Sequence, residues 1–266
     1  MSRLQDVFAE LKGKRAALVT FVTGGDPALE TTVPLLHALV EAGADVLEVG
    51  IPFSDPMADG PVIQMSHQRA LAHGTTITDV LAMVATFRER NTRTPVVLMG
   101  YVNPVEAMGY GVFAQACARA GVDGVILVDL PPEEAGEWLA AARQAAVDRV
   151  FLLAPTSPPE RMRLIGEASS GFVYYVALKG VTGAAHLDIG TVGKQLGAVR
   201  ALVDLPIGVG FGVQDAQSAR ALGEVADAVI VGSALIRRLA AAEGAESIAQ
   251  ARAFVAGLRA ALPPRQ

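Results

Sequence analysis

The chain has 266 residues, 52% of them hydrophobic, 18% charged and 5% aromatic, with a formal net charge of −5. That apolar content is enough for a large core, whereas the mild acidity and the lack of a basic block argue against nucleic acid or an anionic membrane surface as a partner. One cysteine, Cys117, allows neither an internal disulfide nor a cysteine zinc site. No apolar run reaches the roughly 18 residues of a membrane span, and MSRLQDVFAELKGK, with charges of both signs, does not read as a signal peptide. The expectation is a soluble, cytoplasmic protein in a reducing compartment.

In chain order, the first element is a helical pattern, LQDVFAELKG, which is expected to plug one end of the fold. Eight strand-length apolar runs follow: AALVTFV (16–22), DVLEVGI (45–51), PVVLMGY (95–101), GVILVD (124–129), RVFLLAP (149–155), GFVYYVAL (171–178), PIGVGF (206–211) and AVIVGS (228–233). Most are apolar on both faces, as parallel strands covered by helices are. Helical patterns lie between them. In LETTVPLLHALVEAGA, Val33, Leu36 and Val40 recur at helical spacing. Gly43 and Gly121 stand where helices should stop. Cys117, within the helical pattern FAQACARAG, reads as a packed core thiol. Short stretches such as EAGADV, RAGVDG and EVADAV precede strands, as if one βα module were repeated, and no linker divides the chain. This rhythm predicts an α/β protein made of one domain, 1–266, a single (β/α)8 TIM barrel with an extra N-terminal helix. A doubly wound open sheet is the alternative. It usually carries a glycine fingerprint after strand one, where this chain has TGGDP; GVGFG at 208–212 comes late and has the wrong spacing.

In such barrels the chemistry sits at the carboxyl ends of the strands. Along the second strand Val46, Glu48 and Gly50 share one face, and Leu47, Val49 and Ile51 the other. The all-apolar set should meet the helices, so Glu48 should point into the barrel, with a raised pKa suited to giving and taking a proton near neutrality. The competing reading is a buried glutamate paired with a structural Lys or Arg, but no strand interior supplies one. Asp55 and Asp59, in the loop FSDPMADGP that follows, read locally as turn or helix-cap residues; only their adjacency to Glu48 suggests more. Gly210-Phe211-Gly212 ends strand seven, and Gly232-Ser233 ends strand eight ahead of a helix. Glycines there let the backbone approach a ligand, and phosphate binding in these two loops recurs among barrels. LKGVTGAAHLDIGT (178–191) reads either as a mobile lid or as a plain surface loop. His37, His67, His73 and His186 show no metal spacing, so no metal site is expected; His37 lies in a helical pattern and reads as structural.

Together these segments resemble the α subunit of tryptophan synthase over nearly the whole chain. LEVGIPFSDPMADGPVIQ resembles that family's catalytic segment, and FVTGGDP, MGYVNPV, DLPPEE, FLLAPTSP, GVTG and GVGFGV follow in the family's order on successive strands. The resemblance implies a lyase that cleaves indole-3-glycerol phosphate to indole and glyceraldehyde 3-phosphate. It implies that Glu48 protonates indole C3 and then helps remove the glycerol hydroxyl proton, while Asp59 accepts from the indole N–H. Phe21, Ile63, Met99, Tyr101, Ile126, Asp129, Tyr174 and Phe211 would line the pocket, with Thr182 binding Asp59 on lid closure. Gly183, Gly210, Gly212, Gly232 and Ser233 would hold the phosphate. The implied partner is a β subunit, in an assembly of two α and two β chains, which carries the pyridoxal phosphate and receives indole; this chain would carry no cofactor. Asp55, Pro56, Met57 and Asn103 resemble its docking surface. Ala177, where many relatives have Ser, and Met57, where many have Leu, depart from the pattern. Two rivals remain: another phosphate-binding barrel, of the phosphoribosyl isomerase or indole-glycerol-phosphate synthase type, and a catalytically silent α chain that only activates a β subunit.

Overall fold

The computed structural model describes residues 2–177, 189–210 and 212–264. Its strands are β1 (Ala17–Thr23), β2 (Val46–Gly50), β3 (Val96–Gly100), β4 (Gly124–Leu127), β5 (Asp148–Arg149), β6 (Leu152–Leu153), β7 (Val173–Val176), β8 (Ile207–Gly210) and β9 (Ala228–Val231). The helices are α1 (Arg3–Leu11), α2 (Thr32–Glu41), α3 (Pro61–Ala72), α4 (Ile77–Arg88), α5 (Val102–Met108), α6 (Tyr110–Ala120), α7 (Gly136–Gln144), α8 (Pro159–Ala168), α9 (Ile189–Arg200), α10 (Ala216–Val225), α11 (Ser233–Leu239) and α12 (Gly244–Ala261). The units after β2, β3 and β9 carry two helices each. No single helix among the described residues is long and apolar enough to cross a membrane.

All pairings are parallel, in the order β5-β4-β3-β2-β1-β9-β8-β7-β6. The sheet closes through the fifth expected strand, which forms two short ladders instead of one. Residues 148–149 pair with β4, and 152–153 pair with β7. Between them the Val150 N–H donates to Val125 O, and the Tyr174 N–H to Phe151 O, each at 3.0 Å. One stretch of chain therefore borders both neighbours, and the strand stagger of a closed barrel assigns them different residues.

Side chains alternate across the barrel wall. Val19, Val46, Val97, Ile126, Phe172 and Ile230 point inward and form an interior cluster. Leu18, Leu47, Leu98, Val125, Val209 and Val229 point outward into a second, larger cluster with the helices. On α2 the buried stripe is Thr32, Leu35, Leu36 and Leu39, with Val33 and Val40 on its flanks. The helix is apolar on most sides, so spacing alone left its inner face ambiguous. Cys117 is fully buried on α6, and burial pushes its thiol pKa well up. Gly121 ends that helix in the left-handed conformation at φ 81°, and Gly43 follows α2 at φ 99°.

The first helix does plug the barrel. Ser2 and Gln5 form a capping box at its start. From it Leu4 and Phe8 enter the interior cluster, and the Phe8 ring lies 5.5 Å from Phe172. The rim is tied by charge: Arg3 meets Asp123 at 3.0 Å, Arg88 meets the same carboxylate at 2.6 Å, and the Ser2 hydroxyl donates to Asp148. Leu4→Ala should leave a cavity at this end and lower stability by about 2–5 kcal/mol. Urea denaturation would show this as a lower midpoint with an unchanged slope; a midpoint at the wild-type value would mean that the helix adds little to the core.

Candidate active site

Glu48 is the third residue of β2, paired in register with Phe21 on β1 and Val97 on β3. It faces the barrel interior and is 1% exposed. Among the described residues neither of its carboxyl oxygens has a hydrogen-bond partner. The reading as a glutamate paired with a structural cation therefore finds no support there. Burial raises its pKa to about 8, and the nearby charge of Asp59 adds to the shift. A carboxylate stripped of water and hydrogen bonds is costly, so the group holds its proton. The next inward position is Gly50, where a Cβ would fall 2.8 Å from Cζ of Phe21. The Phe21 ring therefore lies over the position above Glu48. Gly210 plays the same part on β8, where the Tyr174 hydroxyl occupies the space a side chain would need.

Asp59 lies in the loop between β2 and α3. It is not the helix cap that local sequence suggested: Gly60 takes the cap position and Pro61 opens α3. The Asp59 carboxylate turns inward instead, with its side chain 4% exposed. Oδ2 accepts the Tyr101 hydroxyl at 2.8 Å. The Tyr101 oxygen in turn accepts the Ala58 N–H at 3.1 Å, and its ring stacks on Phe53 at 5.2 Å. The backbone carbonyl of Asp59 accepts from Gln64 at 2.9 Å. Burial raises the Asp59 pKa and the Tyr101 bond opposes the rise. Burial also raises the Tyr174 phenol pKa, with the charges of Glu48 and Asp59 adding to it, so the three groups lie near one another.

Phe21, Tyr101 and Ile126 are buried; Ile63, Met99 and Tyr174 are partly buried. Asp129 follows β4 and is exposed, and its carboxylate accepts the Val102 N–H at 2.8 Å. Gly210 ends β8, Gly212 adopts φ 91°, and Gly232 caps α11, which begins at Ser233. Asp55 and Asn103 are exposed, Met57 is 84% exposed, and Pro56 is buried. Thr182, Gly183 and Phe211 lie outside the described residues, as does most of the 178–191 segment. Among the described residues no group of three or more His, Cys, Asp or Glu side chains could hold a metal ion.

One residue of this neighbourhood was not anticipated. His67 is buried on α3, with Nε2 3.7 Å from Asp59 Oδ2. Its position, eight residues after Asp59, is two turns into α3 and could have raised the question, but nothing in the sequence says which way the ring points.

A closed parallel barrel with a buried, proton-holding carboxyl midway along a strand, and a second carboxylate near enough to raise its pKa, is an arrangement suited to acid–base enzymes of the barrel class. Comparison with known proteins narrows this. The tryptophan synthase alpha chain family model matches residues 8–262. The tryptophan synthase alpha chain of Burkholderia thailandensis is 56% identical over 263 residues, 98% of this chain and 97% of that one. The Nitrosomonas europaea alpha chain is 52% identical, over 98% and 96% of the two chains. Among solved structures, tryptophan synthase subunit alpha from Legionella pneumophila superposes with a TM-score of 0.91 at 44% identity, covering 98% of both chains. A tryptophan synthase structure from M. tuberculosis, in an aminoacrylate-bound form, gives a TM-score of 0.88 at 38% identity, over 98% of this chain and 100% of that one. The chain belongs to the tryptophan synthase alpha chain family. It is a lyase of tryptophan biosynthesis that cleaves indole-3-glycerol phosphate, and as an alpha chain it has a β-subunit partner.

The state of Glu48 carries a consequence for stability. Its pKa is about 8 folded against an ordinary value of 4.5. Between those values the folded state binds the extra proton, so this residue lowers stability as pH rises from about 4.5 to about 8. Glu48→Gln removes the effect. The unfolding free energy of the variant relative to wild type should climb across that window, by several kcal/mol at most, and level off above it. A difference that does not change with pH would contradict the burial of an unpaired carboxyl.

Proposed function

We propose that the cleavage is carried by Glu48 and Asp59 in complementary roles. The observation that supports this is the contrast between their surroundings: Glu48 has no hydrogen-bond partner among the described residues, while Asp59 keeps the Tyr101 hydroxyl on one oxygen. A carboxyl with a pKa near 8 is protonated at neutrality yet close enough to its midpoint to exchange. Glu48 gives its proton to indole C3, and positive charge appears on the ring nitrogen. Asp59 accepts the indole N–H and stabilises that charge. The ionised Glu48 then takes the proton of the glycerol hydroxyl beside the ring. As the new carbonyl forms, the carbon–carbon bond breaks and its electron pair returns to the ring, leaving indole and glyceraldehyde 3-phosphate. Glu48 ends protonated, as it began.

Phe21, Ile63, Met99, Tyr101, Ile126, Asp129, Tyr174 and Phe211 line the indole and glycerol part of the pocket, with Thr182 closing on Asp59. The phosphate is held by Gly183, Gly210, Gly212, Gly232 and Ser233. The net charge of −5 offers no global attraction for an anion, so local backbone dipoles must supply it. The start of α11 at Ser233 leaves N–H groups outside the intrahelical ladder, and Gly232 keeps the approach clear of a side chain. Asp55, Pro56, Met57 and Asn103 form the docking surface, in a cytoplasmic assembly of two α and two β chains whose pyridoxal phosphate belongs to the β subunit. The exposed Met57 gives that surface an apolar centre.

The test is indole release by wild type, Glu48→Gln and Asp59→Asn, with and without a β subunit. Wild type should release indole, and Glu48→Gln should lose roughly 10²–10⁴-fold in kcat, with a comparable loss in Asp59→Asn. Normal turnover by Glu48→Gln would overturn the assignment, and no turnover by wild type under any condition would favour a silent activating chain.

A further inference from the structure

Asp59 is approached by a second aromatic donor, and the geometry around it fixes that donor's protonation state. The Phe53 N–H donates to Nδ1 of His67 at 2.9 Å. A backbone N–H can only donate, so Nδ1 is the acceptor nitrogen. The ring is 3% exposed, and burial lowers its pKa to about 4. It is therefore neutral at physiological pH, and its one proton sits on Nε2, the nitrogen 3.7 Å from Asp59 Oδ2. At that separation the contact is a neutral N–H dipole close to a carboxylate, not a formed hydrogen bond.

We propose that His67 is a positioning residue for the cleavage reaction, holding the Asp59 carboxylate in place with a neutral Nε2–H dipole while its other nitrogen anchors the loop at Phe53. The inference rests on the role given to Asp59 above. Its physical content is that both groups next to Oδ2, the hydrogen-bonded Tyr101 hydroxyl and the nearby His67 Nε2–H, are uncharged. A lysine or arginine there would neutralise Asp59 before the substrate arrived. Neutral donors orient the carboxylate and leave its charge for the positive ring nitrogen of the reaction. The helix that carries His67 is itself clamped to the end of β1 and the loop after it. The Ser66 hydroxyl lies 2.6 Å from that of Thr23, Arg69 holds Asp26 through two bonds of 2.6 and 2.9 Å, and the His73 ring meets Pro27 O at 2.9 Å. The imidazole therefore projects from a fixed base towards the loop that bears Asp59.

Two substitutions separate positioning from packing. In His67→Asn the amide oxygen can still accept from Phe53, but no donor reaches Asp59. In His67→Gln the longer amide can still present an N–H to Asp59. Assayed on the full chain with a β subunit, His67→Asn should lose about ten- to a hundredfold in kcat with KM nearly unchanged, and His67→Gln should retain more activity than His67→Asn. Nitrogen NMR of the wild-type chain, which needs no substitution, should show protonated Nε2 and unprotonated Nδ1 at neutral pH. Wild-type kcat in His67→Asn, or a ring protonated on Nδ1, would overturn the inference. Were Asp59→Asn still to lose turnover in that case, the reading of Asp59 would stand; wild-type turnover in Asp59→Asn would overturn both.

Discussion

Burying the Glu48 carboxyl costs free energy that an apolar residue at the same position on β2 would not incur. The barrel wall surrounds it with aliphatic and aromatic groups, and no hydrogen-bond partner stands beside it among the described residues. The cost shows as a pKa near 8, and that value is what makes a carboxyl useful for donating a proton at neutrality and recovering one afterwards. The rest of the upper barrel is compatible with keeping the site apolar. Gly50 yields its space to the Phe21 ring, and Gly210 yields its own to Tyr174. Closure of the sheet through residues 148–153 completes the barrel wall.

Asp59 is treated differently by the same fold. It stands on a loop, not a strand, and it keeps a hydrogen bond from Tyr101 with the His67 ring nearby. Two carboxyls within one space would ordinarily repel each other, and the charge of Asp59 does help hold the proton on Glu48. The proposed separation of roles thus follows from environment: among the described residues one acid has no hydrogen-bond partner and the other retains a donor. The loop achieves this because Gly60, not Asp59, caps α3, which frees the carboxylate to turn inward.

Much of this is legible in the amino-acid sequence. The strands could be read because they are apolar on both faces, and Glu48 could be aimed inward because a period of two leaves no other face for it. The N-terminal plug showed as an amphipathic pattern. What escaped the sequence was set by distant parts of the chain. The split of the fifth strand depends on stagger against two neighbours, and no local signal encodes that. The inner face of α2 was ambiguous because apolar residues nearly surround it. Asp59 looked like a cap because its true partner, Tyr101, lies 42 residues away. His67 escaped for the same reason, since its ring is aimed by Phe53, 14 residues earlier in the chain.

The proposed chemistry depends on the protonation state of a single side chain. Carboxyl infrared difference spectra between wild type and Glu48→Gln, recorded as a function of pH on the full chain, isolate that group. A protonated carboxyl band that belongs to Glu48 and disappears with a midpoint near 8 is the predicted result. A midpoint near the ordinary 4.5 would show the carboxyl solvated or paired, and would leave the proposed chemistry without its acid.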